Sequence, residues 1–229
     1  MTISKSPNPF FEGNALFHVL TEEEKEALGK NSRAVLFSKN QLIYEPGVST
    51  THVFVLLKGS AKISLHADKK DIIKYVIRPG GLFGESFLTG ELMRRDFAYA
   101  MEEHTEALEM DAHVLLNIFR NNFAFAQGLL SFLGDKLRYT EQQLEKVVLK
   151  DSKSRILEYL HQMGTEQGKM VGVETLVRHN MTHQDIADLT GTSRQMVTAV
   201  LNQLKRKNLL YFNRKKMLFR DLSAIPGES

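Results

Sequence analysis

Apolar residues between Ala34 and Met110 occur in short runs that Gly, Pro and Asp interrupt. β-Branched and aromatic residues dominate these runs, which predict strands at Gln41–Tyr44, His52–Leu57, Ala61–His66, Ile72–Ile77, Phe97–Ala100 and Ala107–Met110. Lys58-Gly59 and Asp68-Lys69 are candidate hairpin turns between strands. Regularly spaced short strands with turn residues between them predict an antiparallel barrel or roll. Before it, Phe17–Lys30 is predicted as a short amphipathic helix capped by Thr21.

The apolar period becomes helical after Met110, and no proline interrupts the chain from Ala112 to Leu149, which predicts one long helix. A seam of residues at alternating spacings of 4 and 3 runs along it: Ala126, Leu130, Leu133, Leu137, Thr140, Leu144 and Val147. Such a seam is typical of a helix that packs against another long helix, and we interpret it as a dimer interface. The alternative is a helix that packs on its own domain.

A third pattern lies between Met181 and Leu210, where two short helical segments flank a turn at Leu189–Thr192. This arrangement predicts a helix-turn-helix whose second helix enters the major groove of DNA. The outward residues of the second helix are Ser193, Arg194, Gln195, Thr198 and Asn202. Arg can bond bidentately to guanine and Gln to adenine, so Arg194 and Gln195 are candidate base readers.

Phosphate contacts are predicted at both ends of this region. Thr182 and His183 begin the first helix, where they are placed to touch the DNA backbone. Leu209–Phe212 and Met217–Arg220 are predicted as a β-hairpin wing, and the residues at its tip are Arg214, Lys215 and Lys216. These wing residues are expected to add affinity without sequence information.

The order of these patterns predicts an α+β chain of three parts. Residues 1–110 are predicted to form a β-roll domain with its N-terminal helix, 111–149 a long dimerisation helix, and 150–229 a winged helix-turn-helix domain. Asp151 is predicted to cap a helix at Ser152–Met163 that Gly164 stops, and Gly164–Asn180 is predicted as a loop with some β character.

Charge strengthens the expectation of a DNA partner. Met1–Lys150 carries 18 Lys and Arg against 19 Asp and Glu, whereas the rest of the chain carries 12 against 8. Thr192–Arg220 holds eight basic residues and no acidic one, which is the electrostatic pattern of a phosphate-binding face.

Composition excludes several classes of site and protein. The chain has no cysteine, so disulfides, thiolate zinc sites and cysteine-ligated iron–sulfur clusters are excluded, and no metal site is expected. No apolar run approaches the roughly 18 residues of a membrane span. The N-terminal residues lack the pattern of a secretory signal, so no membrane partner and a cytoplasmic location are expected.

The chain resembles the Crp/Fnr family of bacterial transcription regulators from about Phe17 to Leu222. The resemblance is carried by Lys58–Ile63, Arg78–Glu85, the long helix, Asp151 with Arg155-Ile156, Thr182–Ala187 and Gly191–Gln195. It implies a β-roll of the double-stranded β-helix or jelly-roll type, a homodimer joined through the long helix, an effector pocket and a two-fold symmetric DNA site. It also implies a contact of Thr165–Val173 with RNA polymerase in an activator.

The resemblance places a small-molecule effector among Gly84, Glu85, Ser86, Arg94, Arg95 and Thr140. In cAMP-binding members a Glu meets the ribose, and an Arg followed by Ser or Thr meets the phosphate. Here Asp96 stands beside the phosphate position and would repel the ligand, so cAMP is disfavoured. The alternative for Glu85 and Arg94 is a salt bridge that closes the β-roll turn. No resident cofactor is assigned.

Two other functions compete with an effector-controlled regulator. One is an effector-independent DNA-binding regulator with a vestigial pocket. The other is a cupin-like enzyme on the β-roll, which needs paired histidines on a strand, and the chain has no His-x-His. Gly84–Leu88 does not fit a nucleophile elbow either, because Leu88 takes the place of the second Gly. We therefore expect that the protein is not an enzyme. Gln195 and Ala199 differ from the cAMP-type and Fnr-type members, which predicts a different DNA sequence preference.

Overall fold

The computed structural model describes residues 11, 14–49, 51–67 and 70–227, with the side chains of residues 67 and 70 left out. These residues form two compact units. The first contains the described residues up to Leu65 together with Lys74–Tyr139, and the second contains His66–Ile73 and the chain from Thr140 onward. The predicted division at residues 110 and 150 remains a prediction.

The first unit begins with helix α1, Glu22–Lys30. Thr21 Oγ1 accepts a hydrogen bond from Glu24 N–H, and Glu24 Oε2 accepts one from Thr21 N–H, which together form a capping box. The predicted cap is thus confirmed, although the helix begins five residues later than the predicted Phe17.

The β-roll follows as strands β1 Ser32–Phe37, β2 Leu42–Tyr44, β3 His52–Lys58, β4 Ala61–Ala67, β5 Lys70–Ile77, β6 Leu82–Phe83, β7 Phe97–Ala100 and β8 Thr105–Asp111. They form two four-stranded sheets in the orders β1-β8-β3-β6 and β2-β7-β4-β5, and the pairings of β8 with β1 and β3 and of β7 with β2 and β4 are antiparallel. The predicted antiparallel strands are therefore confirmed, whereas β1 and β6 were not predicted.

Alternation along β3 explains why the roll has two cores. Val53 and Val55 pack among the helices, while Phe54 and Leu56 pack between the strands with Phe83. The predicted turn at Lys58-Gly59 joins β3 to β4, and Gly59 has φ of 82°. The predicted turn at Asp68-Lys69 lies outside the described residues.

The predicted continuous helix from Ala112 to Leu149 is wrong, since the chain forms α2 at Ala112–Asn121 and α3 at Phe123–Leu149. Asn122 separates them with extended backbone angles (φ −118°, ψ 101°). Its Oδ1 accepts from Phe125 N–H at 3.0 Å, and its Nδ2 donates to Glu24 Oε2 at 2.8 Å. Asparagine forms such local bonds in preference to a helix interior, so it ends one helix and begins the next.

The second unit holds the end of α3 and helix α4, Ser152–Gln167, which Asp151 caps by accepting from Ser154 N–H at 2.7 Å. The predicted stop at Gly164 is wrong, because Gly164 stays helical beneath Leu222, whose Cδ1 would lie 2.5 Å from an added Cβ. The predicted loop after it contains two strands, β9 Lys169–Val171 and β10 Glu174–Arg178.

The rest of this unit is a winged helix-turn-helix, as predicted. Helix α5 spans His183–Thr190 and α6 Arg194–Arg206, followed by β11 Leu210–Phe212 and β12 Lys216–Phe219. The sheet order is β11-β12-β10-β9. Among the residues described, no helix has both the length and the apolar character that crossing a bilayer requires.

Candidate nucleic-acid interface

Local capping signals fix both helices of the helix-turn-helix. Thr182 caps α5, accepting from Asp185 N–H at 3.0 Å, while Asp185 Oδ2 accepts from Thr182 N–H at 2.9 Å. Gly191 ends α5 in the left-handed region (φ 64°, ψ 34°), which glycine adopts without steric cost. Ser193 then caps α6, accepting from Met196 N–H at 3.2 Å.

Helix α6 has one apolar face and one polar face. The buried residues are Val197, Val200, Leu201 and Leu204. Arg194, Gln195, Ala199 and Asn202 are exposed on the opposite side. The helix therefore presents guanidinium and amide groups to solvent while its other face is anchored in the core.

The remaining predicted contact residues have partners within the domain. Thr198 is half-buried, and its hydroxyl donates to Arg194 O at 2.9 Å. His183 Nδ1 lies 2.9 Å from Thr198 Oγ1, and its ring packs on Phe212 with centroids 5.7 Å apart. His183 thus joins α5, α6 and the wing strand β11. These long-range contacts have no signal in the sequence.

Of the histidines in this region, His179 is buried and His183 is half-buried. Burial lowers the pKa of His183 below its ordinary value, and the positive charge of Arg194 lowers it further. Burial is also the main cause of the lowered pKa of His179, and the nearby His183 lowers this pKa further. Hydrogen bonds with the backbone of Met181 and Asn213 act in the opposite direction and raise it. Both imidazoles are therefore held toward the neutral form.

The wing tip is a tight turn built by Asn213. Its Oδ1 accepts from Lys215 N–H and Lys216 N–H, both at 2.9 Å. The side chains of Arg214, Lys215 and Lys216 are exposed at this turn. Three exposed cations therefore lie close together on one hairpin turn.

The predicted dimer seam lies on α3. Leu130, Leu137 and Leu144 are more than 60% exposed within one chain, and Val147 is also largely exposed. Thr140 is exposed as well, while Ala126 and Leu133 are half-buried. Exposed apolar rows of this kind are typical of surfaces that bind another protein.

Two of the predicted effector residues, Gly84 and Arg94, are in direct contact in the first unit. Arg94 is 4% exposed, donates to Gly84 O at 2.6 Å and to His52 O, and stacks 4.3 Å from the centroid of Tyr44. Burial lowers the pKa of Arg94, whereas the nearby Tyr44, Asp96 and Glu85 raise it. Gly84 (φ 72°) is required here, since an added Cβ would lie 2.7 Å from Arg94 Nη1.

Glu85 pairs with Lys136 of α3 at 2.5 Å, so the alternative of a Glu85–Arg94 salt bridge is not what forms. The Lys136 ammonium lies 4.4 Å from the centroid of Tyr75 and 3.3 Å from its hydroxyl. The pKa of Tyr75 is raised, mainly because of its burial, and the Tyr75 hydroxyl therefore stays protonated.

The remaining effector candidates are Arg95, Ser86 and Thr140. Arg95 is exposed and pairs with Glu91 at 3.0 Å, and Asp96 pairs with Lys74 at 2.8 Å. Ser86 is half-buried in the short 3₁₀ helix Glu85–Thr89, and Thr140 belongs to the second unit.

Sequence reasoning missed Lys136, although it stands one helical turn before Thr140 and the spacing could have identified it. Among the described residues, no cluster of three or more His, Asp or Glu side chains is arranged to hold a metal ion.

Comparison with known proteins matches both halves of the chain. The family model of the cyclic nucleotide-binding domain matches residues 34–122, and that of the Crp-like helix-turn-helix domain matches residues 154–225. A CRP-like cAMP-activated global transcriptional regulator of Mycobacterium tuberculosis is 25% identical over 200 residues, or 87% of this chain and 89% of that protein.

Two further proteins extend the comparison. The global nitrogen regulator of a Nostoc species is 26% identical over 183 residues, covering 79% of this chain and 82% of that protein. Among solved structures, a CooA mutant from Carboxydothermus hydrogenoformans is 27% identical with a TM-score of 0.72, covering 86% of this chain and 87% of that chain. With both domain models in this order over more than half of its length, the chain belongs to the Crp/Fnr family of transcriptional regulators.

Proposed function

We propose that this regulator is a homodimer that reads a two-fold symmetric DNA site with one α6 helix in each half-site. The observation that carries the proposal is the two-faced α6, whose buried apolar side anchors it while Arg194, Gln195 and Asn202 face solvent. Regulators of this family bind DNA and act as dimers. Dimers of this kind read half-sites about one helical turn, or a multiple of it, apart.

Each predicted DNA-binding residue receives one role in this proposal. Arg194 and Gln195 read base edges in the major groove, with Asn202 further along the same face. Thr182, His183 and the wing residues bind phosphate. Ser193 acts mainly as the cap that aims the first turn of α6, and Thr198 holds His183 in place.

Dimerisation is proposed through the seam Ala126, Leu130, Leu133, Leu137, Thr140, Leu144 and Val147. The exposed leucines support it, because burying them against a second copy removes apolar surface from water on both chains. The three-part division of the chain at residues 110 and 150 is part of the same proposal.

Two matched substitutions test the roles in DNA binding. Arg194→Ala removes a bidentate base contact and should relax preference at one base pair of each half-site, at a cost of about 1–3 kcal/mol. Lys215→Ala removes a phosphate contact and should weaken binding to all DNA sequences alike. It should also reduce the slope of log affinity against log salt concentration by about one. Fluorescence anisotropy on matched and mismatched duplexes at several salt concentrations measures both. If both variants lose affinity without any change in sequence preference, the assigned roles are wrong.

The β-roll is proposed to hold a small-molecule effector other than a cyclic nucleotide. Arg94 Nη1 and Nη2 already donate to two carbonyl groups and the guanidinium stacks on Tyr44, while its buried Nε has no hydrogen-bond partner among the described residues. Lys136 holds Glu85. A cyclic phosphate would have to displace these contacts. The same contacts of Arg94 and Glu85 also support the second candidate, which is an effector-independent regulator with a vestigial pocket.

Thermal shift separates these two candidates. A ligand that binds the folded state at 100 times its dissociation constant stabilises the protein by about 2.7 kcal/mol. We expect cyclic nucleotides to leave the melting temperature unchanged and a different small metabolite to raise it. A rise with cAMP would contradict the proposed class of effector, and no response to any metabolite would favour the vestigial pocket.

We further propose a cytoplasmic location and, in an activator, a contact between RNA polymerase and Thr165–Val173. Met170, Val171 and Val173 are exposed in that segment, which supports a protein contact there. Family members are transcriptional regulators rather than enzymes, and we assign no catalytic residue and no resident cofactor.

A further inference from the structure

Arg155, on the first turns of α4, donates to three backbone carbonyls with a single guanidinium. Nε donates to Thr190 O at 2.9 Å, Nη2 to Gly191 O at 3.1 Å, and Nη1 to Lys150 O at 2.7 Å. The side chain is half-buried. It therefore connects α4 with the end of α5 on one side and with the junction of α3 and α4 on the other.

The chemistry of the acceptors explains why an arginine stands here. Thr190 and Gly191 end α5 and Lys150 follows α3, so their carbonyl groups lie at helix C-termini, which lack intrahelical donors and carry partial negative charge. A guanidinium offers five donors in a rigid planar fork, which suits several acceptors at once. A lysine in the same place has one compact ammonium and cannot span these three carbonyls.

Other contacts cross the same junction. Lys150 Nζ pairs with Glu158 of α4, whose side chain is 7% exposed. Val147 of α3 lies beside the turn, since a Cβ on Gly191 would be 3.9 Å from Val147 Cγ2. The end of α3 from Thr140 onward belongs to the same compact unit as the helix-turn-helix.

These turns of α3 carry Leu144 and Val147, which are members of the proposed dimer seam. Ser193, the cap of α6, follows Gly191 by two residues. A shift of the Thr190-Gly191 backbone therefore moves the start of the reading helix relative to the residues that meet the second copy.

We propose that Arg155 is a positioning residue that holds the helix-turn-helix at one orientation to the end of the dimer helix, and so restricts the dimer to one half-site spacing. Arg155 acts through backbone carbonyls and contacts no base or phosphate in this role. The inference rests on the proposed dimeric reading of DNA. A merely structural role would affect stability without affecting which spacing is preferred.

The test uses the full-length protein and duplexes that carry two identical inverted half-sites whose separation changes one base pair at a time. The wild-type protein should prefer one separation by about tenfold or more, an effect comparable with one mismatched base pair. Arg155→Lys should keep its preference for the half-site sequence and its salt slope, while its affinities for adjacent separations become equal within about threefold. Arg178→Lys, the same change at an exposed position of β10, should behave as the wild type.

Thermal unfolding of each variant accompanies the binding assay. If Arg155→Lys does not fold, Arg155→Gln, whose amide offers two donors in place of five, replaces it and should also flatten the spacing preference. Unchanged spacing preference in a folded variant overturns the positioning role. If the wild-type protein shows no preference for any half-site sequence, the proposed function itself fails, which is a separate result.

Discussion

At the scale of single residues, several side chains of the helix-turn-helix for which we propose a role at DNA also have a structural role. Thr182 and Ser193 cap helices through their hydroxyl oxygens, and Thr198 is bonded to His183. Arg194 and Gln195 are exposed beside them. Sequence preference is therefore expected to depend on Arg194 and Gln195, whereas changes at the caps also cost stability.

His179 provides a pH-dependent prediction at this scale. Its folded-state pKa is lowered by burial, so the unfolded chain binds more protons as the pH falls below the ordinary value of 6.5. The stability that the neutral imidazole contributes is present above about pH 6.5 and is lost as the pH falls through the folded-state pKa. We expect the melting temperature to decrease from about pH 7.5 to about pH 5.5, and His179→Gln to reduce that decrease.

His183 shifts in the same direction, so it should account for part of the remaining acid sensitivity. His104→Gln is a control, since that histidine is exposed on the β-roll. Melting temperatures that fall equally in the wild type and in His179→Gln would show that this imidazole is not held neutral by folding.

At the scale of elements, helix α3 exposes a row of large apolar side chains. Leu130, Leu137 and Leu144 recur at heptad spacing and remain outside the core of a single chain. Charged residues of the same helix, Glu141 and Glu145, stand on either side of Leu144 in the sequence. The helix therefore has the character of one half of an interface.

Leu144→Glu tests this interface. The substitution places two carboxylates in the dimer seam, one from each chain, and their burial without partners is unfavourable. We expect the dimer to weaken by at least about a hundredfold, since each 1.4 kcal/mol corresponds to tenfold. Sedimentation equilibrium measures the change, and Glu145→Gln, next to the seam, is the control. A variant that remains a dimer with unchanged affinity would show that the seam is not the interface.

The elements also show how far sequence reasoning reaches. Strands with regular alternation and helices with local caps were predicted, because both signals lie within a few neighbouring residues. The break at Asn122 was not, since its side chain bonds Glu24 of α1, 98 residues away. Strand β1 has an irregular burial pattern and β6 only two residues, so neither carries a periodic signal.

The candidate sites follow the same rule. Exposure of Arg194 and Gln195 followed from the helical period, whereas the contacts of Arg94, Lys136 and Arg155 depend on chain segments far apart in sequence. An arginine expected to receive a ligand phosphate instead binds two backbone carbonyls. Tertiary packing, which a single sequence does not display, decides that outcome.

At the scale of the whole molecule, charge and symmetry point to the same activity. Eight basic residues and no acidic one lie between Thr192 and Arg220, while the rest of the chain holds 22 Lys and Arg against 27 Asp and Glu. Attraction of this basic segment to phosphate adds affinity, and the proposed two-fold pairing of reading helices lengthens the recognised site and adds specificity. The central claim is therefore that the protein selects an inverted repeat from DNA.

Selection from a pool of random duplexes with the purified protein tests this claim most directly. We predict enrichment of one inverted repeat whose half-site centres are about one helical turn, or a multiple of it, apart. Its consensus should differ from those of cAMP-type and Fnr-type regulators, since Gln195 and Ala199 replace residues typical of both. Enrichment of a single half-site or a direct repeat, or no enrichment at all, would contradict the account.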